Sequence, residues 1–545
     1  MTRLMKSIAV ACVAGFATAA LTGCTSDPSA GAATTAAAAG ASKALVDVDT
    51  AAPNPGAAAV ALPAGSINTA IQRLPGLVQA VMAKSQVPGV AVAVVQGGKT
   101  VYTGGFGVKK VGTTGAVDPQ TVFQIASVSK PLAATVVARE VSKGVVHWDT
   151  PVVTELPTFA LQDPWTTAHV TIGDAFAHRT GLPRAAGDLL EDIGYDRSYV
   201  LGHLRYEPLN PFRVSYGYSN YGLTLGAEAV AKAAGTDWAT LSQQQLYGPL
   251  GMTSTSSRYS DYLARSDRAT IHAFVDGKFQ ALFQRDADAQ SPAGGVSSNV
   301  VDMAKWMALV LGHGTVNGTE LIKADALLPA TTPQVVNGPP SSADVRAGTY
   351  GFGFNVGIQP GGRTTLSHSG GFSSGTGTNI MMIPSADVGI VVLTNGAQVG
   401  AAETISSEFA DLVQFGHTTR DWWPFINKAI APTLGPEGDL VGTDRPAAPA
   451  APSPLTTYQG TYHNRYYGDA VVRVEGGALV LALGPTGKYT AKLSPWNNNT
   501  FAFVPTGENA PTGSKSSATF TITAGQGSSV KLGIFDANGL GTWTR

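Results

Sequence analysis

Cysteine is almost absent: two occur in 545 residues, Cys12 and Cys24, both before residue 25. The folded body therefore has no disulfide, no thiol nucleophile and no Cys-ligated metal. Charge is also scarce, at 13% of residues against roughly 25% in average proteins. It is balanced too, with 36 Lys plus Arg against 37 Asp plus Glu and a formal net charge of −1. Such a chain has no attraction for polyanions, which excludes nucleic acid as a partner. No His-Glu-x-x-His occurs among its 9 histidines, so neither a metal nor another cofactor is expected. What is plentiful is glycine, 64 residues, which suits a large buried body with many tight turns. The length corresponds to roughly three units of about 150 residues.

At the N-terminus, Arg3 and Lys6 precede an apolar stretch over 7–20, too short to span a bilayer comfortably. Leu21-Thr22-Gly23-Cys24 follows. This resembles a bacterial lipoprotein signal with its lipobox. The resemblance implies cleavage before Cys24, lipidation of its sulfur, and a mature protein held outside the cytoplasm at a lipid bilayer. Thr25, rather than Asp, would favour the outer membrane, facing the periplasm, in a Gram-negative source. An ordinary cleaved signal with an incidental Cys24 is the other reading.

Residues 24–65 are Ala, Ser, Thr, Gly and Pro with few large apolar side chains, too little to offset the entropy of ordering them, so they read as a tether. A helical period starts at Ile67 and continues through Leu74, Leu77, Val78 and Val81. Strand-like runs at 90–95 and 100–103 then flank Gly97-Gly98. A second hairpin is expected over 378–383 and 388–394, followed by a helix over 402–415. These patterns predict an α+β fold: an antiparallel sheet built from both ends of residues 66–435, flanked by helices, with a mostly helical lobe from the middle. A Pro/Ala-rich connector over 436–455 marks a boundary. Short strands at 471–474, 479–483, 501–504, 519–523 and 530–535 then predict a small all-β barrel over 456–545.

Ser127-Val128-Ser129-Lys130-Pro131 opens a helical stretch in which Pro131 is tolerable only in the first turn. Residues three apart share a helix face, so Lys130 sits beside the Ser127 hydroxyl, where the helix dipole favours developing negative charge. A serine can become a nucleophile this way without histidine. Ser-x-x-Lys alone is weak, because Ser528 and Lys531 repeat it in a strand, where that spacing puts the pair on opposite faces. Tyr218-Ser219-Asn220 likewise has a twin in Tyr462-His463-Asn464. The ordered set is more specific: Ser127-x-x-Lys130, then Tyr218-x-Asn220, then His368-Ser369-Gly370 before a strand.

That set resembles the three active-site motifs of the serine β-lactamase and penicillin-binding protein superfamily, especially its class C and DD-peptidase branch. His178-Arg179-Thr180-Gly181-Leu182-Pro183, Pro249-Leu250-Gly251-Met252, Ala293-Gly294-Gly295-Val296 and Tyr350-Gly351-Phe352-Gly353 support it. The C-terminal strands resemble a β-barrel module appended to such hydrolases. The resemblance implies that Ser127 attacks an acyl carbon, that Lys130 helps remove its proton, and that Tyr218, as phenolate or hydrogen-bonded relay, serves the leaving group and later a water. It further implies an oxyanion hole from the backbone N–H groups of Ser127 and Gly371, and substrate binding by Asn220, His368, Ser369 and Gly370. Since free Lys and Tyr titrate near 10.4 and 10, either base needs a pocket that lowers its pKa by several units.

His368 stands where many relatives carry Lys. A full charge about 4 Å from a substrate carboxylate could contribute about 4 kcal/mol at an effective dielectric near 20, before desolvation. A histidine titrating near 6.5 would supply only a fraction of that at pH 7, so turnover of carboxylate substrates should fall relative to neutral esters between about pH 6 and 8.

Gly371-Phe372-Ser373-Ser374-Gly375 matches the nucleophile elbow of α/β-hydrolases, but that motif needs a helix after the turn and a hairpin follows here. His178 reads as a buried structural histidine. Two functions follow: a serine hydrolase working through an acyl-enzyme on a β-lactam, a D-amino-acid peptide or amide, or a small ester; or a penicillin-binding sensor or scaffold with negligible turnover. Nothing in the sequence sets the oligomeric state.

Overall fold

A computed structural model describes residues 55–545; the leader, Cys24 with its expected lipidation, and most of the tether lie outside the described residues. Helix α1 (Ser66–Ser85) buries Ala70, Leu74, Val78 and Val81. The strands β1 (Gly89–Gln96) and β2 (Lys99–Gly107) then form the first hairpin. Gly97 and Gly98 turn it at φ 58° and 69°, values that suit glycine and match the twist of the strands. Helices α2 (Ser129–Lys143), α3 (Asp188–Asp192), α4 (Asn220–Ala233) and α5 (Val300–Leu311) belong to the lobe that follows.

The chain returns through β3 (Val335–Gly338), β4 (Gly348–Tyr350), β5 (Asn355–Ile358), β6 (Thr364–Phe372), β7 (Thr376–Ile383) and β8 (Val388–Thr394). The sheet runs β2-β1-β8-β7-β6-β5-β4-β3, and β1 against β8 joins the two ends of the hydrolase region as expected. Side chains alternate along β1: Val90, Val92 and Val94 pack with α1 and with α6 (Ala401–Phe415), whereas Ala91, Ala93 and Val95 join the core of the lobe. This two-sided burial explains the continuous apolar run in its sequence. Strand β5 pairs with β6 only over Thr364 to Ser367, leaving the edge of residues 368–372 open on that side.

The C-terminal sheet has eight strands in sequence order: β9 (Gly460–Tyr462), β10 (Ala470–Glu475), β11 (Ala478–Leu483), β12 (Tyr489–Asn497), β13 (Thr500–Phe503), β14 (Ser516–Thr523), β15 (Gln526–Leu532) and β16 (Thr542–Thr544). A bridge between His463 and Thr544, with reciprocal bonds of 2.7 and 3.0 Å, brings the last strand back to the first, so the sheet nearly closes into a barrel. Tyr458, Tyr462, Phe501, Phe520 and Trp543 are buried in it.

Two segments differ from expectation. Val60 N–H donates to the Gly361 carbonyl at 2.8 Å and Leu62 packs on the α1/α6 core, so the tether ends docked before residue 65. The connector also packs. Asp439 accepts from Ser516 Oγ at 2.8 Å and Ser517 N–H at 2.9 Å, while Ala450 exchanges bonds with Asn497 and Asn498. Prolines remove donors but leave carbonyls and flanking N–H groups able to pair with the barrel. Among the described residues, no helix is long and apolar enough to cross a membrane.

Candidate active site

Ser127 lies in the 3-10 turn Ala126–Val128 that leads directly into α2. Ala126 has φ 47°, a left-handed conformation uncommon for a residue with a Cβ. Ser129 clamps this turn, donating to the Ala126 carbonyl at 2.6 Å while accepting from Val296 N–H at 3.0 Å. One turn into the helix, Lys130 is fully buried. Its Nζ reaches Ser127 Oγ at 2.9 Å, Asn220 Oδ1 at 2.8 Å and the Ala293 carbonyl at 2.9 Å. Burial lowers its pKa to about 7, against a smaller upward pull from Asp188. The amine is therefore substantially neutral at physiological pH. In that form its two hydrogens serve Asn220 and Ala293, and its lone pair faces the Ser127 hydroxyl.

Tyr218 Oη donates to the same Ser127 Oγ at 2.9 Å, and Lys130 Nζ lies 4.6 Å from the Tyr218 ring centre. Burial raises the Tyr218 pKa, only partly offset by its bond to Ser127. Burial thus favours the hydrogen-bonded hydroxyl of Tyr218 over a phenolate, and the depressed base is Lys130. Behind Tyr218, the segment from Arg213 is pinned by buried Asp174, whose carboxylate accepts from Arg213 Nη2 at 2.8 Å and Arg179 Nε at 2.7 Å. His178 is buried with its ring 4.5 Å from that of Tyr218, and its Nδ1 accepts from Ser219 N–H at 3.2 Å.

Asn220 starts α4, whose cap Ser219 accepts from Gly222 N–H at 2.9 Å. Its amide oxygen meets Lys130 and its amide nitrogen donates to the Asp188 carboxylate at 3.2 Å. Asp188 has no motif to mark it and is absent from the expected set.

On β6, alternation puts His368 and Gly370 on the face toward α2. A Cβ on Gly370 would lie 3.0 Å from Ser127 N. Ser369 is not brought into the group: its Oγ accepts from Asn379 Nδ2 at 3.0 Å, on the strand face that carries Gly371 toward Gln398. The expectation for His368 is also corrected. Nδ1 pairs with the Ser369 carbonyl at 2.7 Å and Nε2 with Tyr350 Oη at 3.0 Å. In the neutral ring the carbonyl takes the Nδ1 proton and Nε2 accepts from Tyr350. Burial, then the Lys130 charge, lowers its pKa to about 3. His368 therefore does not titrate between pH 6 and 8.

The model of the family described as Beta-lactamase matches residues 74–413, more than half of the chain. The chain belongs to the β-lactamase family. As a β-lactamase-family serine hydrolase, it carries a second match, over residues 444–539, to a domain of unknown function, DUF3471. Unguisins hydrolase ungD of Aspergillus violaceofuscus (strain CBS 115571) is 26% identical over 416 residues, 70% of this chain and 73% of that protein. D-alanyl-D-alanine-carboxypeptidase/endopeptidase AmpH of Escherichia coli (strain K12) is 23% identical over 60% of this chain and 84% of its own. The octameric penicillin-binding protein homologue from Pyrococcus abyssi shares the fold, with a TM-score of 0.54 and 19% identity over 87% of this chain and 100% of that one.

Proposed function

We propose that this hydrolase cleaves a peptide-like or small acyl substrate through a covalent acyl-enzyme on Ser127. The observation that carries the reading is the convergence of Lys130 Nζ and Tyr218 Oη on Ser127 Oγ, each at 2.9 Å. Neutral Lys130 takes the hydroxyl proton as Oγ bonds to the acyl carbon. That proton then reaches the leaving group through the Tyr218 hydroxyl, and the same pair activates water in the second half-reaction. The Phe372 carbonyl is turned toward the hairpin, where it accepts from Gly375 N–H at 3.0 Å. Alternation along the ladder then turns Gly371 N–H the other way, to the open edge, where with Ser127 N–H it forms the oxyanion hole. Asn220 orients Lys130, and His368 offers a neutral, polar lining near the scissile group.

The substrate reading is an amide or ester that does not depend on an ion pair to a carboxylate, because a neutral His368 supplies none. A relative named as a D-alanyl-D-alanine-carboxypeptidase/endopeptidase supports a peptide-type substrate over a committed β-lactam. We read Cys24 as a lipid anchor, in which case Cys24→Ser moves the protein from the membrane fraction to the soluble one. The function is tested by treating wild type and Ser127→Ala with fluorescent penicillin, nitrocefin, p-nitrophenyl esters and D-alanyl peptides. Ser127-dependent turnover is expected. A stable adduct without turnover on any substrate would instead make the protein a penicillin-binding sensor, and full activity in Ser127→Ala would overturn the nucleophile.

A further inference from the structure

Helix α3 is five residues long, and both of its ends are held by the C-terminal barrel. At its start, Gly187 N–H donates to Tyr466 Oη at 3.2 Å, and Tyr466 donates in turn to Glu207. Asn538 of the barrel donates to the other Glu207 oxygen at 2.9 Å. At its end, the Asp192 carboxylate accepts from Glu508 N–H at 2.9 Å, Asn509 N–H at 3.0 Å and Asn509 Nδ2 at 2.9 Å. The same barrel loop reaches the strand that lines the cleft: Ser373 Oγ donates to the Glu508 carbonyl at 2.6 Å, and Ser374 Oγ to its carboxylate at 2.8 Å. There is no slack at Gly187, where a Cβ would lie 2.7 Å from Val200 and 2.8 Å from Tyr221.

The first residue of this clamped helix is Asp188, 8% exposed, whose carboxylate holds the Asn220 amide. An amide has one acceptor end and one donor end. Asp188 takes the donor end, so Asn220 must present its oxygen to Lys130. We propose that Asp188 is a positioning residue for the Lys130 amine, and that the C-terminal barrel, by gripping α3 at both ends, is a working part of the active site. This rests on the reading of Ser127 and Lys130 given above.

The charges around Asp188 fit the role. Lys130 of α2, Tyr218 before α4, Tyr221 of α4, and Glu191 and Asp192 of its own helix face it, with Arg285 behind Glu191 at 2.8 Å. Burial first, then Glu191 and Asp192, pushes Asp188 up to about 8. A fully ionised Asp188 would hold Lys130 as an ammonium; raising the carboxyl leaves the lone pair available near neutral pH.

The experiment measures pH profiles of kcat/KM on p-nitrophenyl acetate with the full chain. Asp188→Asn keeps an acceptor for Asn220 and, like the carboxyl below about pH 8, carries no charge, so its kcat falls less than threefold and its acid limb stays near pH 7. Asp188→Ala removes the acceptor and lowers kcat at least tenfold with KM within about twofold. Tyr466→Phe combined with Asn509→Ala, which removes a side-chain bond at each end of the helix, lowers kcat at least threefold while the thermal midpoint shows a folded protein. Wild-type kcat in Asp188→Ala, a tenfold loss in Asp188→Asn, or wild-type kcat in the folded double variant overturns the proposal. If the double variant does not fold, the contrast between Asp188→Ala and Asp188→Asn alone decides. Ser127→Ala, run in parallel, separates the two ideas: if it keeps activity, the reading of the nucleophile has failed instead.

Discussion

Tyr350 donates its hydroxyl to Nε2 of His368 at 3.0 Å, across neighbouring parts of the sheet. With Nε2 accepting, the ring is neutral; protonation would reverse the bond, with Nε2–H donating to the Tyr350 oxygen. With a pKa of about 3, His368 gains no proton between pH 6 and 8. Profiles of a carboxylate-bearing substrate and a neutral ester should therefore run parallel over that range. Divergence through pH 6.5 in steady-state kinetics would show that His368 titrates after all.

Lys130 gives the opposite expectation. Its lowered pKa makes the neutral base the form that gains population as pH rises through about 7. The kcat/KM for a neutral ester should rise tenfold per pH unit below 7 and level above it. Lys130→Arg, which stays charged, should lose at least about a thousandfold at every pH. A Lys130→Arg enzyme with the same profile would remove Lys130 from the chemistry.

Gly370 has no room for a side chain. A Cβ there would lie 2.3 Å from the Ile125 carbonyl and 3.0 Å from Ser127 N. Gly370→Ala must push β6 away from the nucleophile turn, and a shift of about 1 Å costs roughly a hundredfold in rate. We expect that loss in kcat with little change in circular dichroism. Retained kcat would mean the turn yields without cost.

Asp174 carries no exposed surface, and two arginines converge on it. Burial would raise its pKa, but the bonds from Arg213 and Arg179 lower it overall. Asp174→Asn removes the charged acceptor shared by Arg179 and Arg213, which are themselves partly exposed, so the loss is that of charged hydrogen bonds, about 1.5 to 3 kcal/mol. Denaturant unfolding should show it, and kcat should fall as the Tyr218 segment loosens. A stability change below about 1 kcal/mol would show that solvent relieves the arginines.

The three motifs and the β1-β2 and β7-β8 hairpins were legible because each rests on local chemistry: a serine and lysine one helical turn apart, Gly97-Gly98 between two strand-like runs, and Pro384-Ser385-Ala386-Asp387 between two others. Strand β12 escaped because Ala491 and Lys492, weak β formers, carry part of its alternation of buried and exposed residues. Asp188 escaped for a different reason. Nothing local marks it, and it meets Asn220 only after the chain folds back across 32 residues. The His368 ionisation state was misjudged because burial, invisible in sequence, outweighs its reference pKa.

Glu207 is buried only because Tyr466 and Asn538 arrive from the barrel to satisfy its carboxylate. A chain cut at the connector would expose that carboxylate and the Asp192 pocket to water together. The two sheets should therefore melt in a single calorimetric transition, and the hydrolase body expressed without the barrel should be less heat-resistant than the whole.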